Sequence, residues 1–231
     1  MRYITTLFTP KRKADVPHSG GIYTPEWACK LFRGLDRNGD FPDLYVVTDW
    51  DEFKRDTFPV PFKYHERDWS SNMEKFRPDV VGPEGAIILD LDTIVVGDLA
   101  PLEAACRGRS CVVALDPYRK PEICLGATWV SQEKAEEVWS KWEAGRDEYL
   151  QDERYFFSFG QCPEGRFSEM LWLREHLTFD DTWDALLPGA VQSYKVDLNK
   201  GEPDEDTILV YFHGDPKPHQ VNHPWVREHW R

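Results

Sequence analysis

The sequence predicts an α/β sandwich, in which helices cover both faces of a central sheet. Short apolar runs typical of buried strands alternate along the chain with segments whose apolar residues recur every three or four positions, as on one helix face. Such alternation is typical of a mixed, mostly parallel sheet between helical layers. Hydrophobic residues make up 41% and aromatic residues 14%, and 231 residues suffice for one domain with a sizeable core.

The first elements are predicted to form a parallel β-α-β unit. Residues 3–8 and 44–48 are apolar enough to be buried strands. Between them, Thr24 is a suitable N-cap for a helix with Pro25 at its first position. Apolar residues then recur at every fourth position from 27 to 35, which predicts one buried helix face.

The rest of the chain continues this alternation. Further strands are predicted at 86–89, 111–115, 123–130, 191–196 and 208–212. Further helices are predicted from Ser71, over 133–143 after an N-cap at Ser131, over 167–176 and at 224–230. Loops are predicted at 11–21, 58–62, 154–165 and 201–206, where polar residues, proline or glycine interrupt the pattern.

Two aspartates, Asp90 and Asp92, follow the central strand at 86–89. In an extended chain residues i and i+2 point to the same side, so both carboxylates are predicted to leave the strand end on one face. Such carboxylates repel each other, and a divalent cation relieves the repulsion. Oxygen ligands suit Mg²⁺ or Mn²⁺. Replacing Asp92 by Asn is then expected to leave the metal-free protein as stable as before, or slightly more stable.

Two other aspartate pairs have the same spacing. Asp49 and Asp51 also follow a predicted strand, and the alternative for them is a strand-end turn capped by Asp49. Asp204 and Asp206 lie in an acidic stretch that is predicted to be solvated surface. The pair after residues 86–89 has apolar sequence on both sides, so the metal site is predicted there.

A second group of candidate site residues lies near the C-terminus. The predicted strand at 208–212 is followed by His213, Gly214 and, in a turn, Lys217. Imidazole suits a transition metal such as Mn²⁺, and lysine is a point charge suited to phosphate. Glycine lets a ligand approach the backbone closely. The alternatives are a hydrogen-bonded, partly buried histidine and an ordinary surface lysine.

Charge and composition exclude some classes of partner. The net charge of −13 argues against nucleic acid as the main partner, because binding a phosphate backbone needs a basic surface. No apolar run approaches the roughly 20 residues that span a bilayer, and no signal peptide is recognisable, so no transmembrane segment is predicted. The five cysteines include no Cys-x-x-Cys pair, which indicates reduced thiols and a cytoplasmic location.

An apolar strand ending in Asp-x-Asp-Thr, together with a C-terminal His…Gly-x-x-Lys-Pro segment, resembles the metal-dependent glycosyltransferases of the GT-A fold. The pattern is most similar to glycosyltransferase family 8 and its glycogenin-like and galactosyltransferase relatives. The resemblance implies one GT-A-like domain over residues 1–231, a Rossmann-like α/β/α sandwich. Its nucleotide-binding part would span about 1–116, and its acceptor and metal/phosphate-binding part about 117–231.

The resemblance also implies ligands for particular residues. In that family the acid pair and a C-terminal histidine hold Mn²⁺ against the diphosphate of a nucleotide sugar, and the lysine binds that diphosphate. Mn²⁺ (or Mg²⁺) is therefore expected at Asp90, Asp92 and His213. The nucleotide sugar is expected at the strand-end residues, a lysine fifteen positions before the first acid, and the C-terminal segment: Thr6, Phe8, Thr9, Lys75, Leu91, Gly214 and Lys217.

The chain departs from the family pattern at several positions. The family's histidine usually stands six residues before the lysine, where this chain has Tyr211, while His213 stands four before it. The usual Asn-x-Gly is Cys124-Leu125-Gly126 here, and the acceptor-side Asp-Gln has Ser168-Glu169 as its nearest match. The resemblance is therefore strong for the donor and the metal, and weak for the acceptor.

The implied reaction transfers a sugar from a nucleoside-diphosphate sugar, a UDP-sugar by resemblance, to the hydroxyl of a saccharide or another acceptor, with retention of configuration. The sequence identifies no catalytic base or nucleophile. Two alternatives stay open. One is a haloacid-dehalogenase-like phosphohydrolase with Asp90 as nucleophile and Asp180-Asp181 as distal acids. The other is a non-catalytic protein of the same fold that binds nucleotide sugars.

Overall fold

The computed structural model describes residues 1–9, 23–50, 53, 57–64, 69–159 and 162–231, without the side chains of 158, 159 and 162–164.

The strands are β1 Arg2–Leu7, β2 Asp43–Thr48, β3 Thr57–Pro61, β4 Ala86–Leu89, β5 Thr93–Val95, β6 Cys111–Leu115, β7 Ile123–Val130, β8 Phe156–Phe159, β9 Cys162–Phe167, β10 Asp181–Thr182, β11 Val191–Ser193 and β12 Leu209–Tyr211. The helices are α1 Pro25–Asn38, α2 Pro78–Val81, α3 Ala100–Cys106, α4 Gln132–Tyr149, α5 Glu169–His176, α6 Trp183–Leu186 and α7 Pro224–His229. Shorter 3₁₀ segments cover Trp69–Phe76, Glu153–Tyr155 and Pro218–Gln220. The predicted loop at 11–21 and Asp51 lie outside the described residues.

A seven-stranded sheet forms the centre of the molecule, in the order β10-β6-β7-β4-β1-β2-β3. Strand β1 runs parallel to β2 and β4, and β2 runs parallel to β3. Strand β7 is antiparallel to both of its neighbours, β4 and β6. The predicted α/β fold with a mixed, mostly parallel sheet is confirmed, and β4 is its middle strand.

The apolar run of β4 is buried on both faces of the sheet. Ile87 and Leu89 pack into the core on the side of α1, α3 and α6, and Ala86 and Ile88 pack into the core on the side of α2, α4 and α5. All four residues are at most 1% exposed. Each fully buried Ile or Leu side chain contributes about 1.5–3 kcal/mol to folding, so β4 is held firmly between the two helical layers.

A second, three-stranded sheet connects the C-terminal segment to the end of β4. Its order is β11-β12-β5, with β12 parallel to β11 and antiparallel to β5. Tyr211 lies opposite Thr93, and Phe212 N donates a hydrogen bond to Asp92 O at 3.2 Å. This pairing brings the chain after β12 next to the aspartates that follow β4.

Several local predictions are wrong. Residues 58–62, predicted as a loop because of their prolines, lie mostly in β3, which is an edge strand where the missing amide donors face away from the sheet. Most of 154–165, also predicted as a loop, belongs to the β8–β9 hairpin. The helix predicted from Ser71 is a 3₁₀ segment, and α4 extends six residues beyond the predicted end at 143.

Four cysteines are free and buried: Cys29, Cys106, Cys111 and Cys124. Among the residues the structure describes, no helix has both the length and the apolarity needed to cross a bilayer.

Candidate active site

A cleft of about 650 Å³ opens at the carboxyl ends of β1 and β4. It is bordered by the end of β1, the turn after β4, the β6–β7 turn (residues 116–122), the start of α5 and the chain after β12. Ligands of α/β proteins usually bind at the carboxyl ends of the strands, so this cleft is the candidate active site.

The two aspartates lie in a turn at the floor of this cleft. Strand β4 ends at Leu89, and Thr93 N donates to Asp90 O at 3.1 Å, so residues 90–93 form a turn that we call the acid turn. The predicted extended geometry is therefore wrong. Both acids still line the cleft, but the Asp90 side chain is 45% exposed and the Asp92 side chain only 6%.

Each aspartate is paired with a buried lysine. Lys75 Nζ donates to Asp90 Oδ1 at 3.1 Å, and Lys217 Nζ donates to Asp92 Oδ2. Tyr23 Oη donates to the same Asp92 oxygen at 2.8 Å. Lys75 and Lys217 are 1% and 3% exposed. In this structure, ammonium groups of the chain itself thus offset the repulsion between the two acids.

Burial is the main cause of the pKa shifts of Asp92 and Tyr23. Loss of solvation raises the pKa of its carboxyl, while the Lys217 ammonium opposes that rise and the Asp90 charge adds to it. Burial, followed by the Asp92 charge, also raises the pKa of Tyr23 well above its ordinary value. Tyr23 is therefore a protonated hydrogen-bond donor at neutral pH.

His213 lines the same cleft but has another partner. Its Nε2 lies 2.7 Å from Ser193 Oγ, and its ring meets Tyr118 edge to face at 5.2 Å. Burial and then the Lys195 charge lower the pKa of His213 to about 4, so the imidazole is neutral at pH 7. Within the described part of the chain, no three His, Cys, Asp or Glu side chains are grouped to hold one metal ion. The metal roles of Asp90, Asp92 and His213 therefore stay predictions.

Tyr211 and Cys124, which replace the histidine and the asparagine of the family pattern, are in contact with each other. Tyr211 hydrogen-bonds with Cys124, and both side chains are buried. A Cβ atom on Gly126 would lie 2.7 Å from the Tyr211 ring, so only glycine fits beneath that ring. Burial raises the pKa of the Cys124 thiol to about 11. Tyr211 and Cys124 therefore pack as one unit where the family has a histidine and an asparagine.

The remaining predicted site residues differ in their placement. Thr6, Phe8, Leu91, Gly214 and Lys217 line the cleft. Thr6 Oγ1 is buried and has no hydrogen-bond partner among the described residues.

Thr9 lies outside the lining of the cleft. Its backbone N donates to Asp49 Oδ1 at 2.9 Å, so Asp49 ties together the ends of β1 and β2. Asp204 and Asp206 are exposed, as predicted for surface residues.

Glu169 is a cleft residue that the sequence indicated only weakly. It begins α5 after the N-cap Ser168, and Asn72 Nδ2 donates to its Oε1 at 2.9 Å. Burial raises the pKa of Glu169 to about 7, with Asp90 adding to the rise and Lys75 opposing it. The sequence signal was the Ser168-Glu169 match to the acceptor motif, and the fold was needed to place it.

Aromatic side chains stand at the mouth of the cleft. Tyr118 is 65% exposed and Phe157 41% exposed, and both line the cleft together with Trp69. By contrast, the tryptophans at 129, 139, 142, 172 and 183 are buried in the core. No pattern in the sequence marks these cleft aromatics, because each lies in a different element.

The fold is that of GT-A glycosyltransferases. The structure resembles that of the glycosyltransferase GlyE from Streptococcus pneumoniae TIGR4 with a TM-score of 0.59 at 11% identity, over 94% of this chain and 56% of GlyE. It resembles the galactosyltransferase LgtC, solved with donor and acceptor sugar analogues, with a TM-score of 0.57 at 8% identity, over 94% of this chain and 89% of LgtC.

A third similar structure is the bifunctional glycosyltransferase WbbM, with a TM-score of 0.54 at 10% identity over 99% of this chain and 50% of WbbM. The chain therefore spans about half the length of GlyE and WbbM. No protein-family model matches the chain, and no curated protein matches it in sequence. At these identities the similarity establishes the fold.

Proposed function

We propose that this chain is a hexosyltransferase that transfers a sugar from a UDP-sugar to a hydroxyl acceptor, with Mn²⁺ (or Mg²⁺) as cofactor and with retention of configuration. The observation that carries the proposal is the meeting of Asp90, Asp92 and Lys217 in one cleft of a GT-A fold, although Asp92 and Lys217 are 125 residues apart. Acids and a lysine together match the charges of a cation and a diphosphate.

On the donor side, the carboxylates of Asp90 and Asp92 are the candidate cation ligands, with His213 as a third by resemblance. A bound cation would supply stabilisation of the negative charge on the leaving diphosphate. Lys217 is held in the cleft by Asp92, so its ammonium is already close to the expected diphosphate. Thr6 lines the same cleft and is a candidate contact for the nucleotide.

On the acceptor side, we propose a saccharide. Aromatic faces beside polar groups are typical of sites that recognise sugars, which have both apolar faces and hydroxyl groups. Tyr118 and Phe157 supply exposed rings, and Asn72 and Glu169 supply hydrogen-bonding groups in the same cleft. A cytoplasmic location and the division of the domain near residue 116 stay predictions.

The phosphohydrolase alternative is less well supported. Asp180 accepts hydrogen bonds from Ser110 Oγ at 2.9 Å and from Cys111 N at 3.1 Å, and Asp181 pairs with Arg109 at 3.7 Å. Both acids therefore hold the chain around β6 and β10, and neither lines the cleft.

The test is a panel of nucleotide sugars with saccharide acceptors, with Mn²⁺, with Mg²⁺ or with a chelator, read by release of nucleoside diphosphate. We expect release that depends on the cation and falls roughly a hundredfold or more in Asp92→Asn, since several kcal/mol of stabilisation is lost at about 1.4 kcal/mol per tenfold. Asp206→Asn, an exposed aspartate of the same motif spacing, is the control. Release of phosphate from a phosphomonoester would instead favour the hydrolase, and UDP binding without turnover would favour a binding protein.

A further inference from the structure

Lys195 lies beside the cleft, in the turn that follows β11. Its Nζ is 3.1 Å from the position that a Cβ atom on Gly214 would occupy, and Gly214 lines the cleft. Because Gly214 has no side chain, nothing at that residue separates the Lys195 ammonium from the cleft-lining backbone. The sequence predicted no functional role for residue 195.

Two ammonium groups and one carboxylate act on Lys195. Burial and then the Lys217 charge lower its pKa, and Lys200 adds to this effect while Asp215 opposes it. The Lys195 charge in turn is the largest charge effect on His213, which also lines the cleft. The Lys195 ammonium is therefore close to two lining residues, His213 and Gly214.

Lys195 differs from the other lysines at this site in having no hydrogen-bond or ion-pair partner among the described residues. Lys75 and Lys217 are paired with Asp90 and Asp92. Lys195 forms neither a hydrogen bond nor an ion pair with any residue in the part of the chain that is described. A partly buried ammonium beside a second ammonium is costly unless an anion accompanies it.

We propose that Lys195 is a second diphosphate-binding lysine, which acts together with Lys217. The inference rests on the proposed function, because it assigns the diphosphate of the donor to this position. In a chain of net charge −13, the two neighbouring ammonium groups of Lys195 and Lys217 are suited to an anion. The diphosphate supplies an anion that pairs directly with Lys195.

The test is calorimetric titration of UDP and of uridine, with Mn²⁺ present, into the wild type and two variants. Lys195→Met should weaken UDP binding about tenfold or more, as expected for the loss of one charged hydrogen bond, and leave uridine binding unchanged. Lys200→Met removes the same charge from an exposed neighbour and should stay within about twofold of the wild type. Lys195→Arg should retain most of the UDP affinity.

Equal UDP affinity in Lys195→Met and the wild type would overturn the role of Lys195 and leave the proposed function intact. An equal loss of UDP and uridine affinity would also overturn it, since that result indicates a structural role. If the wild type binds no nucleoside diphosphate at all, the proposed function and this inference both fail. Circular dichroism of each variant checks that it is folded.

Discussion

The structure reverses the effect on stability that the sequence predicts for Asp92→Asn. Repulsion from Asp90 alone predicts that Asp92→Asn leaves the metal-free protein equally or more stable. In the structure, however, the same substitution leaves the buried Lys217 ammonium without its counter-charge. Breaking one partner of a buried ion pair typically costs about 3–5 kcal/mol.

We therefore predict that Asp92→Asn lowers the free energy of unfolding of the metal-free protein by on the order of 3 kcal/mol. Urea denaturation of the wild type, Asp92→Asn and the exposed control Asp206→Asn measures this change. Equal midpoints for the first two proteins would show that repulsion, not the ion pair, dominates at this residue.

Glu169 is expected to make stability depend on pH. Its folded-state pKa of about 7 lies above the ordinary value of 4.5. The stabilisation of the folded state by the protonated Glu169 carboxyl is therefore full below pH 4.5 and is lost as the pH rises to 7. Glu169→Gln removes the ionisation. The variant should therefore melt at a higher temperature than the wild type at pH 8, and at nearly the same temperature at pH 4.5.

Thermal melts of both proteins between pH 4.5 and 8 test this, with Glu148→Gln on the exposed side of α4 as the control. A difference in melting temperature that is constant across this range would contradict the assigned cause.

At the scale of elements, the β6–β7 turn presents an aromatic ring to the cleft. Asp116 Oδ1 accepts from Tyr118 N at 2.8 Å, and Arg174 Nη2 holds Asp116 Oδ2 at 2.5 Å. Arg174 Nε also donates to Ile123 O at 3.0 Å. Helix α5 thus anchors both ends of the turn, which leaves the Tyr118 ring exposed but positioned.

We predict that Tyr118→Ala raises the KM for a saccharide acceptor several-fold, while the affinity for UDP stays unchanged. The reason is the loss of ring contact with the acceptor, which is worth about 1 kcal/mol or more. Tyr118→Phe keeps the ring and should behave like the wild type. Steady-state kinetics at saturating donor distinguish the two, and a matching rise in both variants would assign the effect to the hydroxyl group instead.

The whole molecule is organised so that distant segments converge on one cleft. Strand β12 pairs with β5 directly after the acid turn, so Asp92 and Lys217, which are 125 residues apart, line the same cleft only in the folded state. A ligand that binds only the folded state stabilises it, by about 2.7 kcal/mol at a concentration one hundred times its Kd.

We expect UDP and Mn²⁺ together to raise the melting temperature by roughly 5–10 °C at such saturation, and more than the sum of either alone. Differential scanning calorimetry with and without a chelator measures the shift. Additive shifts would contradict a shared site for the cation and the diphosphate.

Much of the fold follows from local patterns in the sequence. Helix α1, the buried strand β4 and the order of strands and helices were predicted because periodicity is a property of neighbouring residues, although Thr24 forms no side-chain cap hydrogen bond at α1. The wrong predictions concern strands that form because of hydrogen bonds to an adjacent strand. Strand β3 and the β8–β9 hairpin contain proline, glycine or aromatic residues that locally favour loops, and their hydrogen bonds to adjacent strands outweigh that preference.

The sequence by itself determined the α/β class, the acid pair after the central strand, and the histidine and lysine after the last strand as candidate site residues. The tertiary structure alone decided that Lys217 and Tyr23 bind Asp92, that Tyr211 packs on Cys124, and that Lys195 has no partner among the described residues. Each of these depends on burial and on distances between residues far apart in the chain. Those quantities set the pKa values and pairing energies of a site, and no local pattern of residues encodes them.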